Sequence, residues 1–396
     1  MKNLSVLFLT LIIFSCTEKD NNEIYQGKLE ELLLEDFSLE KDSTTRYFNN
    51  IRVVGGSNGE HIVYTKAASK FEGLAIVFVS PITGKEVDRI EIPTEGPESM
   101  KGGNFVNIIP SKDLVILMNQ IGEIGEYNAE AKQIALHKSY SDFRGNAKFL
   151  NVVSILPILK IIQFENHTLQ LGNNPSKTIK TKKPVAAGEM RSEFPLDFKE
   201  WITHINLETG EIITSNFSMP EGYEGFKNDL TSTLLFGIYD SKRELYYLAW
   251  PYSDDVYVLD GVNLERVIKP FSSVELKYLP SEREPIGEMF TNWTQPKNAS
   301  KQLFLLYDEQ RDLIIRCSKI EESGASESTF ERTKHYVLSI YSGEWEPKGE
   351  YFFDFETEIE VENWFLTSEG LFINKPEQKS EDAYQFYTID LSRFGK

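Results

Sequence analysis

Cysteine is nearly missing from this chain: there are two in 396 residues, Cys16 and Cys317. A disulfide framework is thereby excluded, and stability has to come from a buried apolar core, which a chain of this length can build. Histidine is scarce as well. His61, His137, His167, His204 and His335 form no HExxH motif and no pair at ligand spacing, so no metal and no other cofactor is expected. A G-x-S-x-G elbow and a glycine-rich phosphate loop after a strand are both lacking, which disfavours serine hydrolysis and P-loop chemistry. Basic residues are outnumbered, 42 against 61 acidic ones, for a net charge of -19. Such a field repels phosphate backbones, so nucleic acid is not an expected partner. Past Phe14 no run is apolar enough to span a bilayer.

What the chain does have begins at its first residues. Lys2 is the only charge before an apolar stretch from Leu4 to Phe14, and Ile13-Phe14-Ser15-Cys16 follows. This is the pattern of a secretory signal, and its ending resembles the lipobox of bacterial lipoproteins. The resemblance implies that residues 1–15 are removed and that Cys16 is lipid-modified. Residues 16–28, opening with TEKDNNE, read as a flexible polar tether. Residues 29–396 read as one domain. The expected place is the cell envelope, as an outer-membrane lipoprotein on the periplasmic side or at the cell surface, touching the membrane through its lipid.

From about residue 48 the sequence is a succession of short β-branched and aromatic runs punctuated by Gly, Asn, Asp and Pro. One polar turn recurs in IPSKDLVILM (109–118), IYDSKRELYYLAW (238–250), LYDEQRDLIIRC (306–317) and LTSEGLFI (366–373). A second recurs in IVFVSPITGKEVDRIEI (76–92), THINLETGEIITSNF (203–217), DVYVLDGVNLERVI (255–268) and HYVLSIYSGEWEPKGEYF (335–352), with a degenerate copy at 125–136. A repeating four-stranded unit of this kind predicts an all-β fold, a six-bladed β-propeller. Its last blade is one strand short, and LLLEDFSLE (32–40) is expected to close it from the N-terminal side, although EIYQGKLEELLLEDF also has a helix-like start. Two successive β-sandwiches are the competing architecture. Cys317, in LIIRCSKI, reads as a buried thiol on a strand, and Trp250 and Trp364 read as packing residues.

With the lipobox, the six-unit phase and the PTEGPESMKGGNF loop, the chain resembles an uncharacterised family of six-bladed propeller lipoproteins of Gram-negative bacteria. The resemblance implies a fold and a compartment, and it carries over no activity and no catalytic residue. Phasing the units sends the three long connections, 171–198, 271–300 and 321–333, to one rim, opposite the short turns. Long loops on a rigid scaffold are where function concentrates. The ligand-binding residues expected there are Glu95, Glu98 and Lys101 in one loop, Tyr223 and Glu224 in a second, and Arg144 and Arg283 in two more. Lys182 and Lys183 lie in a basic flap, and Trp293 is expected either as a stacking platform for a sugar or a peptide side chain or as a plug at the top of the core. The expected function is non-catalytic binding of an envelope protein or a saccharide through this rim. A carbohydrate- or glycoconjugate-active enzyme using carboxylates from several blades is the alternative, and an envelope sensor or assembly subunit is a third reading.

Overall fold

The computed structural model describes residues 24–41, 49–56, 59–67, 74–93, 95–99, 105–110, 115–119, 124–128, 130–137, 160–165, 168–172, 177–178, 192–193, 196–206, 208–209, 211–227, 229–286, 290–296, 298–320, 334–355 and 363–395. Among them the β-branched and aromatic runs form antiparallel four-stranded meanders. In chain order the first sheet holds Asn49–Gly56, Gly59–Ala67, Leu74–Val79 and Glu86–Ile92, and the second Phe105–Pro110, Val115–Asn119, Ile124–Tyr127 and Gln133–His137. The third holds Lys160–Glu165, Thr168–Gly172, Ile202–Asn206 and Ile212–Thr214, and the fourth Phe236–Asp240, Leu245–Ala249, Val256–Asp260 and Asn263–Ile268. The fifth holds Lys301–Asp308, Leu313–Lys319, Lys334–Ser342 and Pro347–Phe355, and the sixth Phe365–Thr367, Gly370–Asn374 and Ala383–Ile389. Successive first strands abut one another along the chain, and Phe365–Thr367 in turn abuts Asn49–Gly56. The result is an all-β, propeller-like arrangement.

Burial follows from that arrangement. Leu313–Lys319 and Gly370–Asn374 are buried at every position because neighbouring sheets cover both faces, whereas the edge strand Asn263–Ile268 is exposed along most of its length. The core is therefore a series of intersheet layers. Trp201, Trp250 and Tyr257 pack between the third and fourth sheets, and Phe304, Cys317, Tyr336 and Trp364 between the fifth and sixth. Cys317, Trp250 and Trp364 are thus the packing residues their contexts predict, and burial pushes the Cys317 thiol well above its ordinary pKa.

The N-terminal segment behaves partly as expected. Phe37–Glu40 pairs with Ala383–Ile389 as the fourth strand of the sixth sheet, Phe37 opposite Phe386, and Leu39 is wholly buried against Phe365, Phe372 and Phe386. The helix-like start is instead a single 3₁₀ turn, Leu29–Leu32. Before it, Gln26–Lys28 pairs in parallel with Glu350, Tyr351 and Phe352 and adds a fifth strand to the fifth sheet. Gln26–Lys28, expected as the end of a polar tether, are thereby part of a sheet. The exposed edge left by Pro347–Phe355 is what recruits these residues, since unpaired backbone groups there are satisfied by a further strand.

The short turns look solvent-bound in sequence but are laced together. In the turn after Phe236–Asp240, Asp240 Oδ1 accepts from the backbone N–H groups of Lys242 and Arg243, and Arg243 Nη1 returns to Asp240 Oδ2 at 2.8 Å. The turn after Lys301–Asp308 repeats this with Asp308 and Arg311, again at 2.8 Å. Each arginine then reaches the following sheet. Arg243 forks onto Asp312, at 2.9 and 3.1 Å, and holds its carboxyl below the ordinary aspartate range, while Arg311 donates to the Thr367 and Ser368 carbonyls. Glu60 of the first sheet accepts from the Ser368 N–H and from the Gln310 amide, both at 2.7 Å. Glycine at 343 leaves room for this pair, since a Cβ there would lie 2.3 Å from the Asp312 carboxylate and 2.5 Å from the Arg243 guanidinium and would displace one of them.

Two outcomes follow for stability. Truncating Leu39 to Ala should cost about 2–5 kcal/mol, and deleting residues 29–40 should lower the melting temperature further by unpairing Ala383–Ile389. Circular dichroism melts measure both, and an unchanged melt would show that the N-terminal strand is dispensable. His204, edge-on to Tyr246 at 5.5 Å, has a buried Nε2 with no hydrogen-bond partner among the described residues, and burial lowers its pKa to about 4. The unfolded chain takes up this proton near pH 6.5 and the folded chain does so only near 4. Stability from this residue is complete above the upper value and declines towards the lower one, by no more than about 3 kcal/mol. Urea titrations across that window should show a shallower decline for His204→Phe than for the parent.

Candidate functional site

The described part of the loop-rich rim is built around the fourth sheet. Entering it, the chain makes two 3₁₀ turns, Tyr223–Phe226 and Leu230–Thr233. Asp229 caps the second, its Oδ1 accepting from the Thr231 N–H at 2.9 Å and the Thr231 hydroxyl at 2.7 Å. Tyr223, expected to meet a ligand, is instead a core residue. It is 1% exposed, lies against Trp250 and Phe226, donates its hydroxyl proton to the Ser232 carbonyl at 2.8 Å and accepts from the Tyr252 N–H. Flanking glycines signal a loop, but the aromatic ring has 3₁₀ geometry to turn it inward. Its neighbour Glu224 is exposed.

Leaving the fourth sheet, the connection 269–281 is fixed by three carboxylates distant in sequence. Glu350, wholly buried on the fifth sheet, accepts from Ser272 Oγ at 2.7 Å, from the Ser273 N–H at 3.0 Å and from the Ser273 hydroxyl. Asp254 accepts from the Tyr278 hydroxyl at 2.6 Å, and Asp229 Oδ2 from the Ser281 N–H at 2.7 Å. Beneath this connection lies Arg316, 2% exposed, on Leu313–Lys319. Its Nε donates to Gln302 Oε1 at 2.7 Å, and its Nη2 donates to the Ser253 carbonyl at 3.3 Å and lies 3.9 Å from Asp254. The Gln302 amide donates to Tyr278 at 2.7 Å, so cation, amide, phenol and carboxylate form one chain. Burial raises the Tyr278 and Tyr252 phenols well above their ordinary pKa and keeps them protonated donors. All three acids are engaged as acceptors that position backbone. The arrangement preorganises a surface, and its ionisable groups are spent on doing so.

From Ser281 the chain enters a two-stranded hairpin, Glu282–Ile286 with Phe290–Thr294, where sequence suggested irregular loop. Arg283 and Trp293 stand directly opposite each other in its register. The Ser281–Asp229 bond ties the start of this hairpin to the Leu230–Thr233 turn. Glu95 is exposed in a separate loop. Glu98 there is half-buried and accepts from the Gln133 N–H at 2.5 Å, anchoring its own loop to the second sheet. Cys16, Lys101, Arg144, Lys182 and Lys183 lie outside the described residues, the last two between the paired strands Lys177–Thr178 and Ser192–Glu193. Sequence reasoning passed over Asp229, Asp254, Glu350 and Arg316. Arg316 had a readable signal, since a charge inside the apolar run LIIRCSKI must be buried with partners.

The class these features define is an all-β propeller-like protein with a hydrogen-bonded, loop-built rim. No family model and no curated protein matches the chain. Its structure is similar to that of a DUF4221-family member from Bacteroides vulgatus, with a TM-score of 0.65 at 15% identity over 91% of this chain and 97% of that one. At that identity the likeness concerns the fold. A WD40 domain of Toxoplasma gondii coronin aligns over 92% of this chain and 89% of its own at 9% identity, and its TM-score of 0.38 is too low to bear on the fold.

Glu350→Gln, which keeps the shape but removes the charge that Ser272 and Ser273 address, should cost about 2–3 kcal/mol. Amide hydrogen exchange should then show the connection 271–281 opening ahead of the strands around it. Equal protection in parent and variant would mean that the carboxylate does not hold this loop.

Proposed function

We propose that the six sheets are the blades of one propeller, closed by Phe37–Glu40, and that the protein is an envelope lipoprotein held by a lipid on Cys16. In this reading it binds an envelope protein or a saccharide through the loop-rich rim, without catalysis, and is kin to the DUF4221 proteins. The observation that carries the binding role is the fixing of connection 269–281 by Glu350, Asp254 and Asp229. Long loops usually cost conformational entropy when a partner orders them, and a rim ordered in advance avoids that cost. The abutting first strands and the pairing of Phe37–Glu40 with Ala383–Ile389 support the ring, and the lipobox-like Ile13-Phe14-Ser15-Cys16 supports the anchor.

The test is a pull-down from detergent-solubilised envelopes with the full chain as bait, the captured component then being titrated against variants. Trp293→Ala should weaken binding by about 2 kcal/mol or more. The pair Lys182→Glu and Lys183→Glu should chiefly slow association and alter its salt dependence. Glu309→Lys, in the turn on the opposite edge, should change neither. Equal losses from both edges would sink the idea of a dedicated face. Cys16→Ser should release the chain from membranes, and continued membrane association would overturn the anchor.

A further inference from the structure

Where the connection 269–281 leaves the fourth sheet, the flank between the fourth and fifth sheets opens into a cleft of about 360 Å³. Cross-strand register explains its first wall. Ile238, Tyr247, Val258 and Arg266 form one row across the fourth sheet, on the face turned to the fifth. The inner members of that row are buried, while Arg266, on the exposed edge strand, closes the row with a guanidinium whose side chain is 53% exposed. Its contact with Glu265 is loose, 3.4 Å from one nitrogen. Lys269 and Phe271 continue the wall just beyond the strand, and the Lys269 ammonium lies 3.6 Å from Asp254. The facing wall is Glu344 and Trp345, from the turn that joins Lys334–Ser342 to Pro347–Phe355.

Trp345 is conspicuous for its backbone. It sits at φ 66°, the left-handed region, as the last residue of its turn, where Gly84 and Ala131 occupy the corresponding places in the first two sheets at 68° and 58°. A bulky side chain opposes that conformation, and such outliers persist where surrounding structure enforces them. The indole packs edge-on to Tyr247 at 5.3 Å and against Tyr341 at 5.5 Å. The ring is held between these two tyrosines and forms part of an aromatic wall with Tyr247 and Phe271. Opposite in character, Glu344 Oε1 accepts from Arg243 at 2.8 Å, which fixes its carboxylate at the mouth of the cleft.

We propose that this cleft binds one ring of an acidic polysaccharide, a sugar bearing a carboxylate. Three parts of the cleft each ask for a different property, and the three coincide in that ligand. Arg266 and Lys269 address an anion, Arg266 in the forked geometry a carboxylate prefers. Glu344 accepts from hydroxyl donors. The aromatic wall receives the apolar face of a ring. Simple anions satisfy the first demand only, and neutral sugars only the other two. A volume near the small end of ligand sites suits one ring with its chain continuing into solvent. The net charge of -19 works against anions at long range, so recognition here depends on contact.

Binding is tested with the full chain in a polyoxyethylene detergent, by calorimetry and tryptophan fluorescence, using trigalacturonate, galactotriose and acetate as probes. Trigalacturonate should bind at sub-millimolar concentration, and galactotriose and acetate at least about tenfold more weakly. Arg266→Gln should weaken trigalacturonate about tenfold while leaving galactotriose unaffected. Trp345→Ala should weaken both sugars, and Arg266→Gln, on an exposed edge strand, keeps the test decisive if that variant misfolds. Trp293→Ala, on the rim, should leave all three unchanged. Failure of trigalacturonate to bind, equal affinity for galactotriose, or indifference to Arg266→Gln would each overturn the proposal. Loss through Trp293→Ala would place the sugar on the rim and overturn it as well.

Discussion

No sheet of this protein covers its own faces, and everything else depends on that. Leu313–Lys319 is buried along its whole length only because the fourth sheet lies on one side and the sixth on the other. With Cys317 buried as a free thiol, no covalent tie compensates for a misplaced neighbour. Intersheet packing therefore has to be supplemented where strands end, and the chain does so with ions. On the short-turn edge Arg243 and Arg311 carry each turn to the next, and on the other edge Glu350, Asp254 and Asp229 hold the connection that passes between sheets. Buried charges are expensive unless fully engaged, so these groups enforce one arrangement of sheets more than they add net stability.

The repeat was legible because turn chemistry is local. An Asp that caps its own turn, as Asp240 and Asp308 do, is visible as YDSKREL and YDEQRDL, and strand alternation gives the rest. Phe37–Glu40 was legible for a different reason: counting strands leaves the last sheet one short. By contrast Gln26–Lys28 has no local signature, since three residues in parallel pairing owe their state to the open edge at Glu350–Phe352. The same limit applies at the rim. Serines 272 and 273 read as loop because the carboxylate they address is 77 or 78 residues away, and Tyr223 reads as exposed because its partners come from Ser232 and Tyr252. Arg243 looks like a solvated turn residue until Asp312, 69 residues on, is beside it.

The two candidate surfaces differ in how their order arises. At the rim, order is imposed on long connections by acceptors buried in the sheets, so the loop sequence has freedom wherever it does not meet one of them. The hairpin bearing Arg283 and Trp293 begins one residue after the Ser281 anchor, which gives it a fixed base. On the flank, order is a by-product of strand register, which puts Arg266 in line with Tyr247 whether or not a ligand exists.

Two positions of one turn separate what serves the fold from what it merely tolerates. Gly343 serves the fold, because a side chain there would push aside the ends of the Arg243–Asp312 pair that ties the fourth sheet to the fifth. Trp345, two residues later, runs against the local preference of the backbone it occupies, at φ 66°. Folding alone would favour glycine or asparagine at such a position. Packing against Tyr247 and Tyr341 offsets part of that cost. The turn is thus shaped by the intersheet ion pair, and the choice of tryptophan within it is best understood by what its ring presents to the cleft beside Arg266.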